Sequence, residues 1–373
     1  MNVKDLIDEI NGEFFVGVPD SQLKVLCNYL MDTKGIDDQH IIAANEGNCV
    51  GIAAGHYLAT GKIPVVYMQN SGVGNIVNPV ASLLHPDVYG IPCIFIIGWR
   101  GEPGVHDEPQ HIFQGKITEK LLNDLDVSTY VISKSTTVED IHQSMKEFDK
   151  LLKQGKSIAF IVRKDTLEND VKVVYKNNYQ LVRENVIEEI VKIAQDDIII
   201  STTGKASREL FEIREKYGHG HEKDFLTVGS MGHSSSIALG VALSKPNTKI
   251  WCIDGDGAVL MHMGAMALIG ANKPKNMVHV VINNEAHETV GGMPTVTNAI
   301  NLKDIAIGCG YPLAIMVDRP EELNKALDLA KKTKDLVFIE IKCNIESRSE
   351  LGRPTTSAKE NKENFMEFLS NCK

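Results

Sequence analysis

The sequence contains no CxxC pair. Its seven cysteines (Cys27, Cys49, Cys93, Cys252, Cys309, Cys343 and Cys372) are odd in number and widely spaced. Cys93 and Cys252 lie inside the apolar runs IPCIFII and KIWCID. This usage excludes a disulfide frame and a zinc knuckle, and it points to reduced thiols in a cytoplasm. No apolar run reaches the roughly 20 residues of a membrane span, so no membrane partner is expected. The N-terminal MNVKDLIDEI carries acids early and lacks the basic-then-apolar pattern of a signal peptide. Basic residues are the minority, 39 Lys and Arg against 49 Asp and Glu, for a net charge of −10. That balance argues against a nucleic-acid partner. It leaves small anionic ligands open, because a few local cations hold those on an acidic protein. Low-complexity tracts and short-period repeats are also absent.

What is present is ordinary for a globular chain: 43% apolar and 24% charged residues. At roughly 150 residues per domain, the length suggests two domains. Short apolar runs alternate with helical patterns in both halves. EFFVGVP, QHIIAA, IPVVYMQ, IPCIFIIG and SIAFIV read as buried strands in the first half, with SQLKVLCNYLMD, NCVGIAAGHYLAT and VEDIHQSMKEFDKLLKQG as helices between them. Near-continuous apolarity suits parallel strands covered on both faces. The polar stretch LENDVKVVYKNNYQL interrupts the rhythm. In the second half, DIIIST, TKIWCIDG, MVHVVINN and LVFIEIKC read as strands. VIEEIVKIAQ, SSIALGVALS, AVLMHMGAMALIGA and NFMEFLSN read as helices. The expected fold is α/β: two doubly wound parallel-sheet domains over 1–165 and 184–373, joined by a linker at 166–183.

The strongest local signal is Gly255-Asp256-Gly257 at the end of one strand, followed by a helix, a strand and Asn283-Asn284. Residues 258–282 intervene, 25 in number. Two such strand ends can lie side by side at the carboxyl edge of a parallel sheet, where ligands bind. Asp256 offers an anionic oxygen and Asn284 an amide oxygen. This incomplete oxygen set suits Mg²⁺, whose other positions go to phosphate oxygens and water. The glycines allow a phosphate to approach, and the N–H groups from Ala258 onward face the same anion. A calcium loop is excluded, because Ala258 occupies the fifth position counted from Asp254.

Other segments are readable in two ways. Glu46, in Asn45-Glu46-Gly47, stands before a helix packed with Gly and Ala. Taken alone it is either an acid favoured at a helix N-terminus or a functional carboxyl. Thr202-Thr203-Gly204-Lys205 follows a strand and is either an ordinary turn or a second anion loop. It is not a P-loop, since the first Gly of GxxxxGK[ST] is missing. Met231, in Gly229-Ser230-Met231-Gly232, is either a core methionine or a site residue. Gly72-Val73-Gly74 resembles the start of a dinucleotide fingerprint, but its third Gly is absent and no acid stands about twenty residues on. Gln69 to Asn75 is therefore read as a loop approaching a ligand.

Gly-Asp-Gly and Asn-Asn at this spacing resemble the motif of the thiamine diphosphate-dependent decarboxylase family. The resemblance implies thiamine diphosphate and Mg²⁺ as cofactors, with Asp256, Asn284 and the carbonyl of Ala286 on the metal. It implies that 1–165 binds the pyrimidine and 184–373 the diphosphate, with the middle domain of larger members absent. Glu46 is then the carboxyl against the aminopyrimidine that promotes formation of the ylid, an acid kept protonated by burial. Met231 becomes the wedge that bends the cofactor. Thr203, Gly204, Gly229 and Ser230 join Gly255, Gly257 and Ala258 around the diphosphate.

Further stretches resemble the phosphonopyruvate decarboxylases within that family: GVPDSQLK, QNSGVGN, GWRGEPGVHDEPQH, STTGKASREL, GSMGHSSSIALG, NNEAHETVGGMPT and LGRPTTS. This implies decarboxylation of 3-phosphonopyruvate to phosphonoacetaldehyde in phosphonate biosynthesis, toward 2-aminoethylphosphonate or another product. It also implies a homodimer or higher oligomer, with sites at the subunit interface and Glu46 facing a neighbouring chain. An anionic substrate needs charge-assisted partners. The candidates are Gln69, Ser71, Asn75, Arg100, Arg348 and Arg353, with His106, His111 and His287 as proton carriers. Pyruvate decarboxylases place a Glu where Val290 stands here, and Glu288 is out of register with it. The alternatives are a sulfopyruvate decarboxylase, whose domains often occupy separate subunits, and a non-catalytic cofactor-binding subunit.

Overall fold

The computed structural model describes residues 1–372. The chain divides into two compact units, 1–174 and 175–373. The first unit holds strands β1 (Phe15–Gly17), β2 (His40–Ile42), β3 (Val65–Gln69), β4 (Ile94–Gly98), β5 (Ser128–Ile132) and β6 (Ile158–Val162). They form one sheet in the order β2-β1-β3-β4-β6-β5, parallel throughout. Its helices are α1 (Val3–Ile10), α2 (Lys24–Thr33), α3 (Glu46–Thr60), α4 (Val73–Pro79), α5 (Pro109–Asp124) and α6 (Val138–Leu152). Val65 to Met68 and Ile94 to Ile97 are buried at every position, so helices cover both faces of this sheet.

The second unit repeats the plan. Its strands are β7 (Ile198–Ser201), β8 (Asp224–Leu226), β9 (Ile250–Gly255), β10 (Met277–Asn283), the short β11 (Ala286–His287) and β12 (Met293–Pro294), then β13 (Leu313–Val317) and β14 (Val337–Lys342). The main sheet is parallel, in the order β13-β14-β10-β9-β7-β8, and β11 pairs antiparallel with β12. The helices are α7 (Arg183–Ala194), α8 (Lys205–Lys216), α9 (Ser234–Ser244), α10 (Asp256–Met261), α11 (Gly264–Asn272), α12 (Leu302–Gly308), α13 (Pro320–Lys332) and α14 (Ala358–Asn371). Alternation along the strands feeds two cores. Trp251, Ile253, Val278 and Val280 pack with α7, α8 and α13. Ile250, Cys252, Met277 and Val281 pack with α9, α11 and α12 on the opposite face.

Three segments depart from the sequence reading. Gln69 to Asn75 is not a loop: a 3-10 turn at Asn70–Gly72 runs directly into α4. The stretch from Arg100 to Gln114, which its sequence makes read as one loop, is loop only to Glu108, because Pro109 opens α5 with a φ already suited to a helix. AVLMHMGAMALIGA is two helices. The break falls at His262 (φ −133°, ψ 48°), where Gly232 packs so closely that a Cβ there would lie 2.7 Å from the ring. Among the described residues, no helix is long and apolar enough to cross a membrane.

Candidate active site

The strand order explains why distant segments meet in the second unit. β8 lies on one side of β7 and β9 on the other, which makes a topological switch point between β7 and β9. Loops leaving the carboxyl ends of β7, β9 and β10 are therefore neighbours. Thr203 and Gly204 follow β7, Gly255-Asp256-Gly257-Ala258 close β9 and open α10, and Asn284 follows β10. The backbone N–H of Gly229 donates to Thr203 Oγ1 at 3.0 Å, which ties the Gly-Ser-Met-Gly loop to the same edge. Ser230 adopts φ 44° beside Gly229 (φ 70°), with Gly232 (φ 85°) after Met231; the two glycines take left-handed backbone without strain. Met231 Cε and His287 Cε1 each lie 3.3 Å from where a Cβ on Gly257 would stand. Met231, Gly257 and His287 thus share one spot.

Asp256 is buried, and its carboxylate accepts from Thr295 Oγ1 (2.7 Å) and Thr297 Oγ1 (3.1 Å). Burial pushes its pKa up to about 6, against which the two hydroxyls act only partly. A buried carboxylate facing hydroxyls rather than a cationic side chain is a suitable place for a metal ion. Asn284 Oδ1 accepts from the Ala286 N–H at 3.2 Å, while its Nδ2 donates to Glu288 Oε2 at 3.0 Å. The Thr295 N–H bonds the Glu285 carbonyl at 2.9 Å. That leaves Ala286 and Pro294 as a pair exchanging no ladder bond, so the Ala286 carbonyl points away from β12. Asp256, Asn284 and Ala286 therefore present three hard oxygens, a set that fits Mg²⁺. Asn283 has a structural part instead: its Nδ2 donates to Glu340 and its Oδ1 accepts from Glu285 N–H and Thr297.

In the first unit, Glu46 opens α3, and Asn45 caps the helix by accepting from Gly47 N–H at 2.7 Å. Glu46 is 5% exposed, and burial raises its pKa, opposed by a 2.7 Å hydrogen bond from Asn75 Nδ2. Gly72 lies against it. A Cβ at position 72 would stand 2.5 Å from Glu46 Cγ and Cδ. Gly72→Ala is expected to displace the carboxyl and depress turnover, at an overpacking cost of about 1–3 kcal/mol. Turnover number and melting temperature measured together check this, and an unchanged turnover number contradicts the placement.

Gln69 and Ser71 belong to a chain that the sequence reading missed at its far end. Ser71 Oγ donates to Gln69 Oε1 at 2.7 Å, and Gln69 Nε2 donates to Asp20 Oδ1 at 2.5 Å. Asp20 is wholly buried after β1, its Oδ2 has no hydrogen-bond partner, and burial raises its pKa. A lone acid directly after a strand was the available signal. Arg100 is committed to Asp107 by a two-pronged pair, with Nη1 donating to Ser21 Oγ at 3.2 Å. His111 sits on α5 with Nδ1 buried and unpartnered, whereas His106 is exposed. Burial, and then Arg100, lowers the His111 pKa to about 4, and burial lowers His287 to about 4. Both rings are neutral at pH 7 until an anion beside them raises their basicity. Arg348 is bound to Glu184 and Glu212, and Arg353 is exposed.

Comparison with known proteins bears on both units. Residues 3–122 match the family described as thiamine pyrophosphate enzyme, N-terminal TPP binding domain. Residues 203–341 match its C-terminal TPP binding domain. Phosphonopyruvate decarboxylase of Streptomyces viridochromogenes is 32% identical over 95% of this chain and 90% of its own. Sulfopyruvate decarboxylase subunit beta of Methanococcus maripaludis is 38% identical, over 40% of this chain and 78% of its own. The sulfopyruvate decarboxylase of Methanosarcina acetivorans is 26% identical over 79% of each chain.

Proposed function

The chain belongs to the thiamine pyrophosphate-dependent 2-keto acid decarboxylases, and from that premise we propose that it converts 3-phosphonopyruvate to phosphonoacetaldehyde and CO₂. The observation that carries the substrate is the 32% identity to a phosphonopyruvate decarboxylase across 95% of the chain. Similarity to the single-chain sulfopyruvate decarboxylase is lower and shorter, 26% over 79%. That relative also removes one argument, since a single chain carrying both domains does not by itself favour the phosphonate.

When bound, thiamine diphosphate supplies the electron sink for the bond pair that CO₂ leaves behind. The protein's residues do the rest. Asp256, Asn284 and the Ala286 carbonyl would hold Mg²⁺. Thr203, Gly204, Gly229, Ser230, Gly255, Gly257 and Ala258 would receive the diphosphate, and Met231, which lies against Gly257, would prop the cofactor. Glu46, its pKa raised by burial, would serve the aminopyrimidine. Gln69, Ser71, Asn75 and Arg100 from one unit, and Arg348 and Arg353 from the other, are our candidates for the substrate anions. His106, His111 and His287 are our candidates for proton delivery. The buried Asp20 carboxyl joins them.

We further propose that the protein works in the cytoplasm as a homodimer or larger oligomer, each active site drawing Glu46 and Asp256 from different copies. Co-expressed Glu46→Gln and Asp256→Ala chains, each inactive alone, then regain activity in the hybrid. The substrate assignment is tested by ³¹P NMR of phosphonopyruvate incubated with protein, thiamine diphosphate and Mg²⁺. A phosphonoacetaldehyde signal that requires both cofactors supports the reading. An unchanged substrate signal overturns it.

A further inference from the structure

Glu288 has no place in the scheme above, yet it lies against Asn284. Its Oε2 accepts from Asn284 Nδ2 at 3.0 Å and also from Arg183. Its Oε1 accepts from Lys205 Nζ at 2.8 Å, and Lys205 in turn donates to Ser347 Oγ at 2.5 Å. Arg183 is itself clamped by Glu209 through two 2.7 Å bonds. Arg183, Glu209 and Glu288 are nearly inaccessible, with side chains 9%, 1% and 9% exposed. The four charges cancel, two cations against two carboxylates. A neutral buried cluster thus ends in one carboxylate oxygen aimed at the amide of a metal-ligand candidate.

We infer that Glu288 is a positioning residue that fixes which end of the Asn284 amide faces the metal. An Asn side chain presents an acceptor at one end and a donor at the other, and its partners decide which way round it sits. With Nδ2 on a carboxylate, a flip would set Oδ1 against that negative charge and turn the N–H₂ toward the cation. Both contacts are repulsive. Arg183 and Lys205 hold the carboxylate in place, and the Ala286 N–H holds Oδ1 from the other side. Outer residues of this kind typically change metal affinity by about 10–100-fold. This inference rests on the metal reading of Asp256 and Asn284.

The same geometry makes a signed prediction. An aspartate is ordinarily a stronger ligand for a hard cation than an asparagine. Asn284→Asp should nevertheless bind the metal more weakly here, because its second oxygen would face Glu288. Adding Glu288→Gln supplies an amide N–H₂ to that oxygen and should restore binding.

The test is Mn²⁺ titration of the full-length protein with saturating thiamine diphosphate, read as loss of the free-Mn²⁺ EPR signal. Thermal unfolding without ligands is followed alongside. Glu288→Ala is expected to weaken Mn²⁺ by about tenfold or more, with Glu288→Gln closer to wild type. Asn284→Asp should be weakened and Asn284→Asp/Glu288→Gln recovered. If Glu288→Ala fails to fold, the two Asn284 variants still decide the matter. Unchanged Mn²⁺ affinity in Glu288→Ala, or losses that simply add in the double variant, overturn the inference. Absence of Mn²⁺ binding in wild type, or normal binding in Asp256→Ala, overturns instead the metal reading beneath it.

Discussion

Glu46→Gln is expected to bind thiamine diphosphate and Mg²⁺ as the wild type does and to lose about two to four orders of magnitude in decarboxylation, the range that a positioned proton-transfer group supplies. The two parts of this result have separate causes. The proposed diphosphate and metal anchors (Thr203, Gly229, Asp256 and Asn284) all belong to the second unit, and Glu46 belongs to the first. Gln keeps the volume and the hydrogen-bonding reach toward Asn75 Nδ2. It cannot hold or release a proton. The buried setting is what makes the native acid suitable, because exclusion of water raises its pKa and so favours the protonated form. Calorimetric cofactor binding and CO₂ release, measured on the same preparation, separate the two. Loss of binding with turnover intact per bound cofactor would contradict the assignment, as would full activity.

The second large effect belongs to Asp256. Asp256→Ala is expected to abolish Mg²⁺-dependent binding of thiamine diphosphate while the fold survives. The carboxylate accepts from the Thr295 and Thr297 hydroxyls and from nearby backbone N–H groups, and the β9–β10 ladder does not depend on it. A pH dependence accompanies this. The metal binds the ionised form, and the pKa in the metal-free protein is about 6. Mg²⁺ affinity should therefore be level above pH 6 and fall as pH drops below it, approaching tenfold per unit. For metal-free stability the sign is opposite. The folded pKa of about 6 exceeds the ordinary aspartate value of 3.8, so folded protein holds this proton more tightly. The stability contribution is lost as pH rises from about 4 to about 6 and is constant above that. Mg²⁺ titrations across this range, with melting curves in chelator, check both signs. An affinity in Asp256→Ala equal to wild type contradicts the metal site.

Much of this architecture is legible without coordinates, and the exceptions share physical reasons. The central strands β3, β4, β9, β10 and β14 are near-continuous apolar runs because helices cover them on both faces. The unread strands β5, β8 and β13 are all sheet edges. Ser128-Thr129-Tyr130 is half-buried, β8 has three residues, and Met316 of β13 is exposed. An edge strand meets solvent on one side and loses the unbroken apolar signature. Gly72 and Asn75 read as turn residues, yet Gly72 packs against the Glu46 carboxyl, Asn75 donates to it, and both lie in helical turns.

The second-unit site was legible for a related reason. Gly-Asp-Gly and Asn-Asn sit at strand ends, where sequence spacing translates into spatial proximity. Asp20, Thr295 and Glu288 gave no comparable signal. Each reaches its partner through loop geometry that periodicity does not encode. Glu288 in particular means nothing until Asn284 Nδ2 is seen to point at it.

The most direct test of the central claim is CO₂ release from phosphonopyruvate, sulfopyruvate and pyruvate, compared side by side as kcat/KM with thiamine diphosphate and Mg²⁺ present. Cofactor-dependent release with a strong preference for phosphonopyruvate is the expected result. A preference for sulfopyruvate would contradict the substrate while leaving Glu46 and Asp256 in their roles. No release from any of the three would contradict the decarboxylase reading itself.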